Sequence, residues 1–267
     1  MGEEKKNRYL EDESAKNDHN AWDNVKIEGE NLQKALAKLE EDIKHVKEYN
    51  EISYNDWENF YKKYNTSFFK DRKWIKKDFK DLFSGNIETI FEIGCGVGNS
   101  LTFFHENKCA LKGIDVSQTA VEHCQKRYPM GEFKVQNIAS DEELNTRNVD
   151  GCLLIYTLSA IDPKEHGKVF YKASKILKKG GLLCFRDYGL MDMVQLRYKN
   201  ESTISKNFYK RSDGTFTYFF TEEEIKLLAE KNGFEIKELK TITTLLVNRK
   251  RNLDMYRVYI HGIFKKK

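Results

Sequence analysis

The sequence predicts an α/β protein built on a mainly parallel, seven-stranded sheet that ends in an antiparallel hairpin and is preceded by a helical N-terminal extension. Three observations predict it. From about residue 86 onward, apolar β-rich runs alternate with helical patterns, as in a parallel sheet covered on both faces. A glycine-rich turn, Gly94-Cys95-Gly96-Val97-Gly98, joins the first run directly to a helical pattern. The last two strand-like stretches follow one another without a helix, so they pair antiparallel.

Taken in order, residues 1–27 are polar with few apolar anchors, and too little apolar surface is available to offset their ordering entropy; they are expected to be disordered. From Glu28 to about Asn50, the residues Leu32, Leu36, Leu39, Ile43 and Val46 step by four and three and form one helical stripe. That stripe packs on its own catalytic domain or forms a short coiled coil with another chain. A helical extension therefore spans 28–84, and the catalytic domain spans 85–267. Its strands fall at Thr89–Ile93, Ala110–Asp115, Glu132–Asn137, Gly151–Tyr156 and Leu182–Tyr188, with helices at about 99–107, 117–127, 164–178 and 221–232. The last helix opens on Thr221 and Glu224 at capping-box spacing and closes at Lys231-Asn232-Gly233. The hairpin strands are about Glu235–Val247 and Met255–Phe264. The stretch at about 189–220 is an insertion at the carboxyl ends of parallel strands, where such folds hold substrate.

Composition narrows the partners. Across 267 residues, 33% are charged but the net charge is only +4, so nucleic-acid binding would have to come from local basic patches. The five cysteines, Cys95, Cys109, Cys124, Cys152 and Cys184, are scattered singly, which argues against a zinc site or a disulfide framework and fits a reducing compartment. His105, His123, His166 and His261 show no metal spacing, so no metal is expected. The first twenty residues lack the apolar core of a secretory signal and are too acidic for a mitochondrial presequence, and Lys6 breaks the myristoylation pattern. No apolar run is long enough to span a bilayer. The expectation is a soluble protein of the cytoplasm, with the nucleus as a second compartment and no membrane association.

The cofactor residues follow from the turn. Glycines at Gly94 and Gly96 let the backbone approach a ligand at a helix N-terminus. Asp115 ends the second strand, where a carboxylate can accept both hydroxyls of a ribose; alternatively it is a turn carboxylate just before Ser117. Asn137 ends the third strand, where an adenine amino group would lie. A glycine turn alone also suits nicotinamide cofactors. Glu92 at its start, the later insertion and the lack of a second dinucleotide half favour S-adenosyl-L-methionine. A parallel sheet finished by a hairpin is then the class I S-adenosylmethionine methyltransferase architecture, of Rossmann-like type.

At Glu92–Asn99, Ile155–Pro163 (IYTLSAIDP), Arg186–Lys199 (RDYGLMDMVQLRYK) and Asn207–Phe220 (NFYKRSDGTFTYFF), the chain resembles the tRNA N3-methylcytidine methyltransferases of the methyltransferase-like protein 2/6/8 type. The resemblance reaches upstream to Trp57–Tyr61 and Phe68–Trp74, and so runs from about Tyr54 to the C-terminus. It implies that the extension carries a cofactor-capping and RNA-binding segment, with Trp57 and Tyr61 touching the cofactor beside Gly94, Asp115, Asn137, Ile138 and Ile155. It implies as substrate a cytidine at position 32 of a tRNA anticodon loop, in serine, threonine or arginine isoacceptors, with an aminoacyl-tRNA synthetase or RNA-binding partner in some cases. The chain departs from the family pattern at Asn137, where an acidic residue is usual and the adenine contact weakens or reverses polarity. Lys73 and Asp162 replace histidines, and Phe216 replaces an arginine.

Neutral cytosine carries a lone pair on N3, so it can attack a sulfonium methyl without a general base; catalysis then rests on alignment and electrostatics. Asp187 and Asp192 are expected to stabilise the growing positive charge, with Tyr188 as a stacking or hydrogen-bonding wall. The alternative for Asp187 is a structural ion pair with Arg186. A loop base must be unstacked and held between rings; Phe208, Tyr209, Tyr218 and Phe219 could supply them, or could be core. Basic residues cluster with aromatics at Lys62, Lys63, Lys70, Arg72, Lys73, Lys76 and Lys77, and again at Arg197, Lys199, Lys206, Lys210 and Arg211. Of these, Lys70, Arg72, Lys73, Arg197 and Arg211, together with Arg186, are the expected RNA contacts. The expected activity is methylation of tRNA to 3-methylcytidine; the alternatives are a small-molecule or protein methyltransferase, or a non-catalytic RNA-binding partner subunit.

Overall fold

In a computed structural model, residues 8–46, 49, 52–64, 70–83, 87–251 and 253–267 are described. Five strands form the parallel part of the main sheet: β2 (Thr89–Ile93), β3 (Ala110–Asp115), β4 (Glu132–Val135), β5 (Val149–Ile155) and β6 (Leu177–Tyr188). Two long strands, β10 (Phe234–Asn248) and β11 (Leu253–Lys266), form the closing hairpin, and β11 pairs antiparallel with β6. With the short strand β1 (Ala21–Asp23), the order across the sheet is β1-β10-β11-β6-β5-β2-β3-β4. The predicted Rossmann-like class I architecture is therefore the fold, with one strand more than the seven expected. Strand β5 is buried along its whole length, as a central parallel strand with both faces covered must be.

The helices are α1 (Gly29–Lys44), α2 (Asn55–Tyr64), α3 (Ile75–Asp78), α4 (Thr102–Glu106), α5 (Gln118–Arg127), α6 (His166–Ile176) and α7 (Glu222–Lys231). The capping box read from Thr221 and Glu224 is formed in both directions, and Gly233 takes a left-handed φ of 80° just past the end of α7. The insertion folds as a separate three-stranded antiparallel sheet of β7 (Thr203–Ser205), β8 (Phe208–Lys210) and β9 (Phe216–Tyr218). Among the described residues no helix is long and apolar enough to cross a membrane.

One expectation about the N-terminal region, a disordered tail, is corrected. Of the stretch expected to be disordered, residues 1–7 lie outside the described residues, but much of the rest is built into the fold. Strand β1 extends the sheet by pairing with β10, Trp22 opposite Leu245. The Trp22 ring is buried against Leu245 and Val247, and its indole N–H donates to the Lys16 carbonyl at 2.8 Å. One tryptophan docked on an otherwise open strand edge supplies the burial and backbone pairing that the polar average of the segment conceals.

Helix α1 packs on its own domain, but only part of its leucine stripe takes part, with Leu32 and Leu39 half-buried. Leu36, Ile43 and Val46 are exposed, whereas Ala35 and Asp42 are buried. Asp42 accepts hydrogen bonds from Lys38, from the Tyr209 hydroxyl at 3.0 Å and from Thr203 at 3.4 Å, which ties α1 to the insertion. A polar contact across about 160 residues of sequence leaves no trace in apolar periodicity.

Candidate active site

The carboxyl ends of the parallel strands open into one cleft with two lobes, of about 540 and 640 Å³, which share Trp57, Tyr61, Gly94, Tyr156 and Ala160. The glycine turn stands where the lobes meet, Gly94 lining both and Cys95, Gly96 and Val97 lining the second. Gly94, Gly96 and Gly98 all have left-handed φ angles, which an ordinary residue adopts only at a cost. Space forbids a side chain as well: a Cβ on Gly94 would strike Thr157, and one on Gly96 would lie 2.6 Å from the Tyr61 hydroxyl. Asp115, at the end of β3, accepts the Gly96 N–H at 2.8 Å through one oxygen and the Ser117 N–H at 3.0 Å through the other. It is thus both the turn carboxylate and a cleft residue, since each oxygen keeps a further lone pair and Asp115 lines the first lobe. Burial raises its pKa, against the pull of these N–H donors. Val116, Ile138, Ala160 and Ile161 give the lobe flat apolar walls, and Gln136 and Asn137 give it a polar edge.

Helix α2 covers this lobe. Trp57 and Tyr61 face the cleft, while Phe60 and Tyr61 pack on Val97 of the glycine turn and Ala120 of α5. Glu58 fastens it, accepting from the Ser117 hydroxyl at 2.6 Å, the Thr119 hydroxyl at 2.7 Å and the Thr119 N–H at 3.1 Å, with Lys62 at 3.3 Å. Burial pushes the Glu58 carboxyl up, but the hydrogen bonds from Ser117 and Thr119 outweigh it and bring the pKa down to about 2. On the opposite wall, Lys172 of α6 is buried and donates to the carbonyls of Ile138, Ser140 and Glu142 at 3.0, 2.6 and 2.6 Å, which pins the loop after β4. Neither Glu58 nor Lys172 was singled out by sequence reasoning; the only available signal was a charged residue on an otherwise apolar helix face.

The second lobe is lined by Arg72, Glu92, Ile155, Tyr156, Ser159, Tyr188, Arg211, Phe216 and Thr217, besides the glycine turn. Tyr156 follows β5 with a left-handed φ of 53°, a strained state for an aromatic residue, and its ring lies 5.2 Å from that of Tyr188. The Arg72 guanidinium sits over the Tyr156 ring at 4.7 Å, and the Arg72 N–H donates to the Asn99 carbonyl at 3.0 Å. Glu92 is fully buried, which drives its pKa up to about 8, and its Oε2 has no hydrogen-bond partner among the described residues. Sequence reasoning did not single out Tyr156 as a site residue; backbone strain is not written in residue type.

Of the residues expected to take part, the cleft brings together Trp57, Tyr61, Gly94, Gly96, Asp115, Asn137, Ile138, Ile155, Arg72, Tyr188 and Arg211. It does not bring in Asp187 or Asp192. On β6, side chains alternate between faces, so Asp187 turns away from the side shared by Arg186 and Tyr188. Fully buried, Asp187 accepts the N–H groups of Ser159 and Tyr188, both at 2.9 Å, and burial lifts its pKa to about 6. Asp192, also fully buried, accepts from Arg257 Nε and from the N–H groups of Val194 and Val258, all at 2.8 Å. Neither aspartate lines the cleft: Asp187 holds the backbone of Ser159 and Tyr188, which do, and Asp192 holds backbone and the Arg257 side chain. Arg186 pairs with Asp78 rather than Asp187, and its guanidinium lies over the rings of Trp74 and Tyr259.

Arg197 is exposed and rests on the Met255 sulfur outside the cleft. Lys70 and Lys73 are exposed on either side of Arg72, and Phe68 and Phe69 lie outside the described residues. The rings expected to hold a base, Phe208, Tyr209, Tyr218 and Phe219, are all buried core of the insertion. Tyr156, Tyr188 and Phe216 occupy the cleft instead. Among the described residues no cluster of His, Cys, Asp and Glu could hold a metal ion.

Comparison with known proteins agrees with this geometry. The family described as "Methyltransferase domain" matches residues 90–181. The chain is 38% identical to the tRNA(Thr) (cytosine(32)-N(3))-methyltransferase of Saccharomyces cerevisiae over 96% of its own length, although it spans only 45% of that protein. It is 35% identical to a tRNA N(3)-methylcytidine methyltransferase of Drosophila melanogaster, with 97% of this chain and 87% of the other covered. Among solved structures, an S-adenosylmethionine-dependent methyltransferase from Anabaena variabilis superposes with a TM-score of 0.60 over 84% of this chain and 98% of its own, at 15% identity.

Proposed function

The chain belongs to the tRNA N(3)-cytidine methyltransferase family, and on that premise we propose that it converts a cytidine of tRNA to 3-methylcytidine with S-adenosyl-L-methionine as methyl donor. The observation that carries this reading is the two-lobed cleft itself, a slot with apolar walls and a strand-end carboxylate beside a pocket walled by rings and guanidinium groups.

The slot fits the donor on its own chemistry. Gly94 lines both lobes, and the turn it opens is packed closely by Thr157 and Tyr61, which leaves its backbone as part of the cleft wall. The free lone pairs of Asp115 suit a ribose diol, and the walls of Val116, Ile138, Ala160 and Ile161 suit a purine face. Glu92 Oε2, buried and unpartnered among the described residues, suits the ammonium of an amino acid end. Bound there, S-adenosyl-L-methionine supplies an electrophilic methyl on a sulfonium. Cytosine N3 forms the new bond to carbon as the carbon–sulfur bond breaks, and the positive charge passes from sulfur to the base. No proton has to leave N3, so no residue need act as a base.

This chain's residues then have to hold the cytosine flat and exclude water. Tyr156 and Tyr188 form the wall against which the base lies, and Phe216 closes the far side. Arg72, fixed through its own N–H, donates to the base carbonyl or to the adjoining phosphate. Ser159, held by Asp187, offers its hydroxyl to the exocyclic amino group. The exposed Lys70 and Lys73 beside Arg72 extend the contact to the RNA backbone.

We further place the target at position 32 of the anticodon loop, in a threonine, serine or arginine isoacceptor, with a synthetase or RNA-binding protein as partner and the cytoplasm as the compartment. The position is the one named for the yeast relative. The test is methyl transfer from labelled S-adenosyl-L-methionine to purified tRNA isoacceptors, a protein panel and small metabolites, with nucleoside analysis and mapping of the modified position. Label in 3-methylcytidine at position 32 is expected; label only in protein or metabolite would overturn the reading.

A further inference from the structure

We propose that Asn137 meets the purine of the cofactor with an N–H donor, on the ring-nitrogen edge, so that this slot barely distinguishes a 6-amino from a 6-oxo purine. The proposal rests on the adenosyl reading of the slot given above.

Asn137 lies two residues beyond the end of β4, on the polar edge of a slot otherwise walled by Val116, Ile138 and Ile161. Which way its amide faces is fixed by chemistry. The Ala139 N–H donates to Oδ1 at 2.9 Å, and an N–H needs an acceptor, so the oxygen is committed to the backbone and Nδ2 takes the other side. No described residue accepts a hydrogen bond from Nδ2. The loop resists rearrangement, because Lys172 holds three of its carbonyls and the Ser140 hydroxyl donates to the Asn137 carbonyl at 2.8 Å. The neighbouring amide, Gln136, is tied through Nε2 to the Glu143 carbonyl at 3.2 Å.

An aspartate at this position would keep the bond to Ala139 and present a second carboxylate oxygen, an acceptor suited to the 6-amino group. Asparagine presents N–H at the same point. The 6-amino group is itself a donor and gains nothing there, whereas ring N1 is an acceptor and does. A 6-oxo purine offers its carbonyl oxygen to the same N–H after a small lateral shift, so the two purines are met almost equally.

Calorimetric titration of the full chain with S-adenosylhomocysteine and with S-inosylhomocysteine tests this without any turnover. The wild type is expected to bind the two within about threefold. Asn137→Asp, which preserves the bond to Ala139, is expected to prefer the adenosyl ligand by about tenfold or more, the range that one hydrogen bond gained or lost supplies. A wild type that already prefers the adenosyl ligand tenfold overturns the proposal, and so does an aspartate variant with an unchanged ratio; either leaves the adenosyl reading standing. A wild type that binds neither ligand overturns both. If the variant does not fold, the wild-type ratio alone decides.

Discussion

The two lobes of the cleft are built by opposite uses of charge. In the first lobe, the carboxylate at a strand end lines the cavity and holds the loop at once: Asp115 accepts two backbone N–H groups and keeps a free lone pair on each oxygen. Around the second lobe the strand-end acid Asp187 and its neighbour Asp192 hold backbone N–H groups and, for Asp192, the Arg257 side chain, and the cavity is left to Tyr156, Tyr188, Phe216, Arg72 and Arg211. The difference follows from the ligands. A ribose diol is a pair of donors, for which a carboxylate is the matching acceptor. A flat base next to a phosphate asks for rings and cations.

The sharpest way to break this contrast is to remove one acid from each lobe. Asp115→Ala is expected to weaken S-adenosylhomocysteine binding at least about 100-fold, since two hydrogen bonds to a charged group vanish together with the restraint on Gly96. Asp192→Asn should do the converse, costing about 2–4 kcal/mol of stability through the unpaired Arg257 while leaving cofactor affinity unchanged. Calorimetry and thermal melting on the two variants decide it. If Asp192→Asn weakened the cofactor as strongly as Asp115→Ala, the division of labour would be wrong.

Within the substrate lobe, Arg72→Gln should lower kcat/KM for tRNA by about 30-fold, the scale of a lost charge-assisted contact, with the affinity for S-adenosylhomocysteine kept within about threefold. A parallel loss in both would move Arg72 to the adenosyl lobe. Arg72 was legible in the sequence because arginine among aromatics fits phosphate and base alike. Asp187 was not legible in the same way: beside Tyr188 on a strand it faces the other side of the sheet, and residue type does not say which side opens into the cleft.

Much of the fold was legible for the same kind of local reason. The parallel strands, the glycine turn, Asp115 and the capping box on α7 depend on neighbours within a few residues. What escaped depends on distant partners: Trp22 on β10, Asp42 on Tyr209, Glu58 on Thr119, Lys172 on the loop after β4. The strain at Tyr156 escaped because it is set by the turn's path, which residue type does not encode.

Glu92 lines the second lobe beside the glycine turn and offers a pH-resolved probe of the cofactor-free protein. Its folded pKa, about 8, stands above the ordinary value of 4.5, so the stability it contributes is fully present below about pH 4.5 and is lost as pH rises through 8. Glu92→Gln cannot ionise and should flatten that loss. From pH 6 to pH 8 the wild type should lose about 2 kcal/mol that the variant keeps. The two should melt alike near pH 5, and the variant should melt higher at pH 8.5. Identical melting profiles across the range would mean that Glu92 is not held neutral.

The smallest expected effect belongs to the lid, and it separates holding from chemistry. Glu58 touches no part of the cleft; it reaches the site only by fastening α2 to Ser117 and Thr119, next to Asp115. Glu58→Gln keeps the shape but gives up a charged acceptor that took three hydrogen bonds, so α2 should sit less firmly over the slot. The expected result is a rise of about fivefold in KM for S-adenosyl-L-methionine with kcat unchanged at saturation, because the lid is restored whenever the donor is bound. Trp57, on the same helix and facing the slot, reports directly: its fluorescence change on adding S-adenosylhomocysteine should need a correspondingly higher ligand concentration. A fall in kcat with KM intact would instead mean that α2 aligns the reacting atoms, and that the two lobes share one frame rather than being held apart.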